Sequence, residues 1–268
     1  MENTKLVCRV LLQDWITFKA LALEDRSRIM NEIAEDKYAR LLSQLINTCV
    51  TRPQIIKEVA TLIFDKAILE PTFCPMYAKL CSDIQHKLPT FLPRERGAGK
   101  ITENTPFKGI LLNLCQQLFE EHEERSSQEL RKMNGPYHKG EPKEMERMSN
   151  LRAIGNLRLI GELLKQHMVT VRIGHHIVQK LLGDEEKMCP SEENVEAVCL
   201  FLKTVGKELD GSSSLSSKKV NDKYYRRLKE LSNNSQLVMR LRFMIRNIIN
   251  LRSNGWISRP EVTNPAVY

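Results

Sequence analysis

Two groups of residues in this chain have the side-chain types from which catalytic or metal sites are built. Adjacent histidines occur at His175 and His176, and glutamates cluster at residues 120–124. Neighbouring residues on a helix point about 100° apart, so the two histidines cannot bind one metal ion. We expect one of them to be packed and the other exposed. The glutamates adjoin a charged segment where a raised pKa is hard to sustain, which favours a solvated acidic face.

Sequence motifs for catalysis and cofactor binding are absent. The chain contains no GxxxxGK[ST], no GxGxxG after a strand, no HExxH and no GxSxG. These motifs serve phosphate binding, dinucleotide binding, zinc hydrolysis and nucleophilic catalysis. The sequence therefore predicts a binding protein rather than an enzyme, with no cofactor and no metal ion.

Cysteine usage indicates a reducing compartment. The seven cysteines are odd in number and include no CxxC pair. Most lie beside hydrophobic residues in helix-like segments, so we expect free, largely buried thiols rather than disulfides or a structural zinc site. No hydrophobic run reaches the roughly 18 residues of a spanning helix, and residues 1–14 make a poor secretory signal.

The positive charge of the chain is concentrated near its end. The formal net charge is +8, and residues 212–268 contain 11 Lys or Arg against 3 Asp or Glu. Residues 1–211 have 30 of each sign. Composition leaves two interpretations open, namely solvated helix faces or a surface for phosphates or an acidic partner.

Hydrophobic residues recur every three or four positions along most of the chain, which predicts amphipathic helices and no strand. Segments rich in Pro, Gly, Ser or charge interrupt this pattern: a loop at 89–105, a charged insertion with helical ends at about 120–147 and a linker at 212–219. Helix boundaries are predicted from cap residues. Pro53, after Thr51, and Pro75 are each predicted to lie in the first turn of a helix. Ser191 and Asn221 are predicted N-caps, and helices are predicted to end at Gly183 and Gly211.

A weak internal repeat indicates how the helices are arranged. Residues 157–161 (LRLIG) recur as residues 202–206 (LKTVG), an offset of 45 residues. HEAT-type helix pairs repeat at about 40–47 residues and bury their hydrophobic faces by stacking. We therefore predict an all-α fold, an α-solenoid of about five HEAT-like antiparallel helix pairs.

Three segments carry a family resemblance: FDKAILEPTFCPMYAKLC at 64–81, LRAIGNLRLIGELLKQHMV at 151–169 and LRFMIRNIINLRSNGW at 241–256. Together they resemble the middle domain of eukaryotic translation initiation factor 4G, most closely the plant types. The resemblance extends over about residues 37–259.

The resemblance implies a crescent of five helix pairs and a function. The family's middle domain is a non-enzymatic scaffold that holds the two lobes of a DEAD-box helicase, initiation factor 4A, and also binds RNA. We therefore expect this chain to bind a helicase of that type and mRNA in the cytoplasm, away from membranes. Other initiation factors are a further expected class of partner.

The domain organisation departs from full-length factor 4G. The family's cap-binding-protein motif has a Tyr followed five residues later by Leu and another hydrophobic residue. None of the six tyrosines of the chain fits it. We interpret residues 1–36 as an N-terminal helical extension of unknown role, 37–256 as a solitary middle domain and 257–268 as a short flexible tail.

Candidate helicase-binding residues come from helix geometry and from the resemblance. On a last helix at about 236–252, Leu237, Val238, Leu241, Ile245 and Ile248 form a core stripe. Phe243 falls on the polar face. Its angle alone allows a partner contact or a contact with a neighbouring loop, and the resemblance favours helicase binding. The resulting set is Phe243, Arg246, Asn250 and Met239, with a weaker set, Phe64, Lys66, Glu70 and Phe73, at a corner that could equally be a structural turn.

Candidate RNA-binding residues form the densest basic run of the chain. They are Lys218, Lys219, Lys223, Arg226 and Arg227. Tyr224 and Tyr225 lie among them and could stack on bases. A basic solvated helix is the alternative. Trp256 is expected to fold back and close the terminal repeat.

Two other functions stay open at this point. A domain that binds the helicase but lacks a cap-recruiting motif could act as a translational repressor or decoy. The basic C-terminal region could instead make the chain primarily an RNA-binding solenoid. Related middle domains also occur in nonsense-mediated decay and nuclear cap-binding proteins, but the three segments are nearer to factor 4G.

Overall fold

The structure is a computed structural model that describes residues 39–40, 42–47, 55–88, 106–132, 143–183, 189–211 and 215–257. All regular structure in these ranges is helical and none of it is strand, which confirms the all-α prediction. None of the described helices is long and apolar enough to cross a membrane. The predicted boundaries at Thr51 and Pro53, the loop at 89–105 and the N-terminal extension at 1–36 lie outside the described residues.

The chain divides into two compact units, Met1–Glu123 and Glu124–Tyr268. The first unit contains α1 (Ile55–Leu69), a short 3-10 helix (Pro71–Phe73), α2 (Cys74–Lys87) and most of α3 (Pro106–Lys132). Helix α1 packs against α2, and both contact the 3-10 helix between them. Pro71 opens this short helix, where its missing N–H costs nothing.

The second unit contains α4 (Lys143–Lys165), α5 (Val171–Leu182), α6 (Glu192–Asp210), α7 (Leu215–Leu231) and α8 (Met239–Ser253). Helices α4, α6 and α8 pack side by side as one layer, and α5 and α7 pack together as a second layer. The substantial contacts in this unit join helices one or two places apart along the chain. Such local stacking is what an α-solenoid requires. The predicted number of five pairs depends on residues outside the described ranges and stays a prediction.

Two predicted helix boundaries are confirmed by their capping contacts. The hydroxyl of Ser191 accepts a hydrogen bond from the backbone N–H of Asn194, at 3.3 Å, and so caps α6. Gly183 ends α5 with φ of 66°, and its N–H donates to the carbonyl of Gln179. Glycine adopts this left-handed conformation without the steric cost that a Cβ imposes. Both signals depend only on neighbouring residues, which is why sequence alone predicts them.

The predicted linker and the predicted cap at Asn221 are wrong. Helix α7 begins at Leu215, inside the serine-rich segment, and Asn221 lies within the helix. Asn221 is 2% exposed. Its side-chain amide donates to the carbonyl of Leu209 at 2.9 Å and to the carboxylate of Asp210 at 3.1 Å. The hydrogen bonds of Asn221 to the end of α6, rather than a capping role, explain why a polar residue occupies this buried position.

The charged insertion predicted at about 120–147 has helical ends, as expected. Helix α3 continues to Lys132 and α4 begins at Lys143, so much of the 120–147 segment is helical. Met148 and Leu151 in the first turns of α4 are exposed, whereas Leu157 and Ile160 further along the helix are buried. Exposure of the first turns shows that hydrophobic periodicity there overestimates the length of the packed face.

The two glycines of the internal repeat occupy equivalent places in the stacked layer. A Cβ on Gly161 of α4 would lie 2.9 Å from the side chain of Thr204 in α6. A Cβ on Gly206 of α6 would lie 1.8 Å from the ring of Trp256, just after α8. Each glycine therefore permits close approach of the next element of the layer. The repeat in the sequence thus corresponds to a repeated packing contact.

Asp210, at the C-terminal end of α6, joins three elements of the second unit. Its carboxylate accepts hydrogen bonds from Arg252 Nε at 2.9 Å and from Trp256 Nε1 at 2.8 Å, besides the bond from Asn221. We call these four residues the Asp210 cluster. Trp256 does fold back onto the preceding repeat, as predicted.

We predict that Gly206→Ala destabilises the second unit by about 1–3 kcal/mol, because the new methyl group overlaps the Trp256 ring and the packing must shift. Chemical denaturation followed by circular dichroism measures this change. In a Trp256→Ala background the cost should largely disappear, since the two sites interact directly. Gly109→Ala is the matched control, because a Cβ there meets nothing within 4 Å. An equal loss in both backgrounds would contradict the proposed overlap.

Candidate partner-binding surfaces

The outward face of α8 carries an aromatic residue among polar and basic ones. Met239, Phe243, Arg246 and Asn250 follow one another at steps of three and four residues, which places them on one side of the helix. We call this set the α8 surface. Phe243 is 53% exposed and Met239 is 63% exposed. The guanidinium carbon of Arg246 lies 5.8 Å from the centre of the Phe243 ring, which allows a cation–π contact.

The opposite face holds α8 in place. Leu241, Ile245 and Ile248 are buried, as predicted. Arg240 makes two hydrogen bonds to Glu196 of α6, at 3.1 and 2.9 Å. These bonds from Arg240 lower the pKa of the Glu196 carboxyl. The Arg240 side chain is 61% exposed and the Glu196 side chain is 31% exposed, so solvent screens the pair and its contribution to stability is small.

One member of the predicted core stripe of α8 is placed differently. Val238 is 46% exposed. It is the N-cap residue of α8, with φ of −58° and ψ of 149°, so the angular spacing of a helix does not apply to it. The start of α8 at Met239, rather than near residue 236, accounts for the error.

The predicted corner site in the first unit is only partly available to a partner. Phe64 is 4% exposed and belongs to the core, so its assignment to helicase binding is wrong. Lys66 and Glu70 form an ion pair at 3.0 Å, and the hydroxyl of Tyr77 donates to Glu70 at 2.6 Å. Burial, followed by the bond to Glu70, raises the pKa of Tyr77. These contacts give the corner a structural role, while Phe73 is half-buried.

The basic run lies on α7, and four of its five cations are exposed: Lys218, Lys219, Lys223 and Arg226. The side chain of Arg227 is only 15% exposed, and its Nη1 lies 3.3 Å from Glu230 Oε2. Exposed cations of this kind can contact phosphates.

The two tyrosines of the basic run are not available to stack on bases as expected. Tyr224 is 3% exposed, and its hydroxyl donates to the carbonyl of His175 at 3.0 Å. The guanidinium carbon of Arg252 lies 4.0 Å from the centre of the Tyr225 ring and covers that face. Burial raises the pKa of both phenols. Sequence adjacency did not reveal that both rings pack inward.

Helices α5 and α7 enclose a cleft of 450 Å³ that the sequence did not predict. Its lining residues are His176, Gln179, Lys180, Leu182, Gly183, Lys223, Tyr224 and Arg227. The sequence analysis did not identify the α5 residues of this cleft, because the sequence does not show that α5 and α7 lie in one layer. The i, i+4 spacing of His176 and Lys180 was the available signal.

The adjacent histidines differ in exposure, and the described cysteines are mostly buried. His175 is half-buried beside the Tyr224 ring, at 5.9 Å between ring centres, and burial lowers its pKa, whereas His176 is exposed. The described cysteines are free thiols, and burial raises the pKa of both Cys115 and Cys199 to about 12. Within the described ranges no group of three His, Cys, Asp or Glu side chains could hold a metal ion.

Comparison with known proteins agrees with the resemblance carried by the three segments. The model of the MIF4G domain family matches residues 23–255. The chain is 37% identical over 240 residues to eukaryotic translation initiation factor 4G of Arabidopsis thaliana, a match that covers 88% of this chain and 13% of that protein. It is 30% identical over 242 residues to mouse eukaryotic translation initiation factor 4 gamma 1, covering 86% of this chain and 14% of that protein.

Among solved structures, the chain is similar to the MIF4G domain of a Trypanosoma cruzi translation initiation factor. The TM-score is 0.47 and the sequence identity 22%, over 80% of this chain and 89% of that chain. The chain spans about an eighth of the length of the plant relative it matches. Because the family model extends over most of the sequence, we conclude that this chain belongs to the MIF4G domain family.

Proposed function

We propose that the chain is a non-enzymatic scaffold of cytoplasmic translation initiation that binds and positions a DEAD-box helicase of the initiation factor 4A type. The observation that carries this proposal is the α8 surface, where Phe243 is 53% exposed beside Arg246 and Met239. Exposed aromatic and arginine side chains are typical of interface hot spots. The names of the relatives, all translation initiation factors, support the same process.

A scaffold of this kind can stimulate a helicase without catalytic groups of its own. A ligand that binds one arrangement of two lobes more tightly shifts the population toward that arrangement by its differential affinity. The buried face of α8 and its ion pair to Glu196 fix the orientation of the surface that a lobe would meet. Lys66, Glu70 and Phe73 in the first unit remain candidate contacts for the other lobe, whereas the buried Phe64 does not.

RNA binding is a second part of the proposal, favoured by the exposed cations of α7. Lys218, Lys219, Lys223 and Arg226 are all exposed. A basic surface of this kind attracts nucleic acid through its phosphates, without dependence on base sequence. Tyr224 and Tyr225 pack inward, so their rings are not available to stack on bases. We therefore propose that α7 binds RNA through phosphate contacts.

We predict that Phe243→Ala weakens binding to the helicase by about 2 kcal/mol, a typical hot-spot magnitude, or roughly thirtyfold in Kd. Its unfolding free energy should stay within about 0.5 kcal/mol of wild type, because the ring lies off the core. Titration calorimetry and denaturation of the same variant measure the two quantities.

Ile173→Ala is the matched control for this variant. Ile173 is a hydrophobic residue that is 42% exposed, but it lies on α5 in the other layer. It should bind the helicase as the wild type does. Equal losses in both variants, or a large loss of stability in Phe243→Ala, would show that the α8 surface is not the specific contact.

We further predict that the chain, added in excess to a cap-dependent translation extract, lowers protein output. It would bind the helicase but contains no recognisable cap-binding-protein motif, so by mass action it competes for a limited helicase pool. Added helicase should restore output, and output from a luciferase message measures both effects. This experiment also tests the repressor or decoy alternative, which shares the same contact.

The Phe243→Ala variant is the control for competition and should inhibit less than the wild type. Stimulation of capped messages by excess chain would contradict the competition mechanism. Inhibition that added helicase does not relieve would contradict it as well, because another component would then be limiting.

A further inference from the structure

Lysine or arginine side chains lie on both walls of the cleft between α5 and α7. His176 and Lys180 are one turn apart on α5, and Lys223 and Arg227 are one turn apart on α7. The cleft lies wholly within the second unit, and its lining includes no residue of α8. None of its residues is needed for the helicase contact proposed above.

The basic wall of α7 extends beyond the cleft. Lys219 precedes Lys223 by one turn, so Lys219, Lys223 and Arg227 form a row that rises about 12 Å along the helix. A row of this length, with Lys180 on the opposite wall, suits an extended chain of charges better than a single small ion.

One of the two carboxylates of α7 pairs with a cation outside the cleft, and the other pairs with a cation of the cleft. Asp222 accepts a hydrogen bond from Arg252 at 3.2 Å, and Glu230 pairs with Arg227 at 3.3 Å. Arg227 lines the cleft, and its Nε is buried without a hydrogen-bond partner among the described residues. A buried donor left unsatisfied costs free energy, and a phosphate oxygen is an acceptor suited to guanidinium groups.

We propose that this cleft binds the sugar–phosphate backbone of single-stranded RNA, with Lys180 on one wall and Lys223 and Arg227 on the other. This inference rests on the RNA binding proposed above and locates it. It adds residues of α5 to a site that the sequence placed on α7 alone. Because the contacts are to phosphates, binding is independent of base sequence and depends strongly on salt.

The test is binding of a fluorescent uridine 12-mer to the full chain by anisotropy, over a series of salt concentrations. Each phosphate contact on a single strand contributes about −0.7 to the slope of log affinity against log salt. The Lys180→Gln/Lys223→Gln double variant should therefore have a slope less negative by about 1.4. Arg227 is left unchanged because its substitution would also alter packing.

The matched control is Lys203→Gln/Lys229→Gln, which removes the same charge from exposed lysines that do not line the cleft. Lys203 lies on α6, in the other layer, and Lys229 lies on α7. The control should keep the wild-type slope. Equal changes in both double variants would overturn the proposal in favour of a diffuse positive surface, and no change in the cleft variant would overturn it in favour of another site.

Two further measurements distinguish RNA from a small phosphate anion as the ligand, and the RNA proposal from the helicase-scaffold proposal. Inorganic triphosphate at constant ionic strength should displace the 12-mer only weakly. If instead the wild type binds triphosphate tightly, and the cleft variant loses this binding but binds RNA unchanged, the cleft is a site for small anions and the proposal is overturned. Helicase binding is measured on the same samples. Wild type that binds the helicase but no RNA would overturn the RNA proposal and leave the scaffold proposal standing.

Discussion

The arrangement of the second unit depends on one carboxylate. Asp210 ends α6, where the partial negative charge of the helix terminus disfavours an acidic side chain. Donors from Asn221, Arg252 and Trp256 compensate for this, and they come from α7, from the end of α8 and from the residues just beyond it. Both candidate surfaces are carried by the two helices that this carboxylate joins to α6. The positions of Phe243 and Lys223 are therefore determined partly by a residue that contacts neither.

Sequence alone predicted the features that depend on neighbouring residues. The cap at Ser191, the helix end at Gly183 and the exposed position of Phe243 follow from local hydrogen bonding, backbone freedom and helical angle. Asn221 was misassigned because its amide bonds to α6, a contact that local pattern cannot reveal. Phe64 was misassigned because resemblance identifies a segment of a family without showing which of its side chains point outward.

The cleft between α5 and α7 illustrates a different limit. Its cations are separated by more than forty positions in the sequence and meet only because alternate helices share a layer. The repeat offset of 45 residues contained that information in principle, since positions one repeat apart are neighbours in a stacked layer. Applying the offset to polar residues as well as to glycines would have placed His176 and Lys180 close to residues 221–225.

Contacts limited to helices one or two places apart have a thermodynamic consequence for recognition. In a stacked array one helix can undock while the rest stays folded, since each helix is stabilised mainly by its neighbours. Only the fraction of molecules in which α8 is docked can bind a partner there, and the apparent Kd is the intrinsic Kd divided by that fraction. The Asp210 cluster thus limits affinity through the fraction of molecules in which α8 is docked, and substitutions within it would change recognition without contacting the partner.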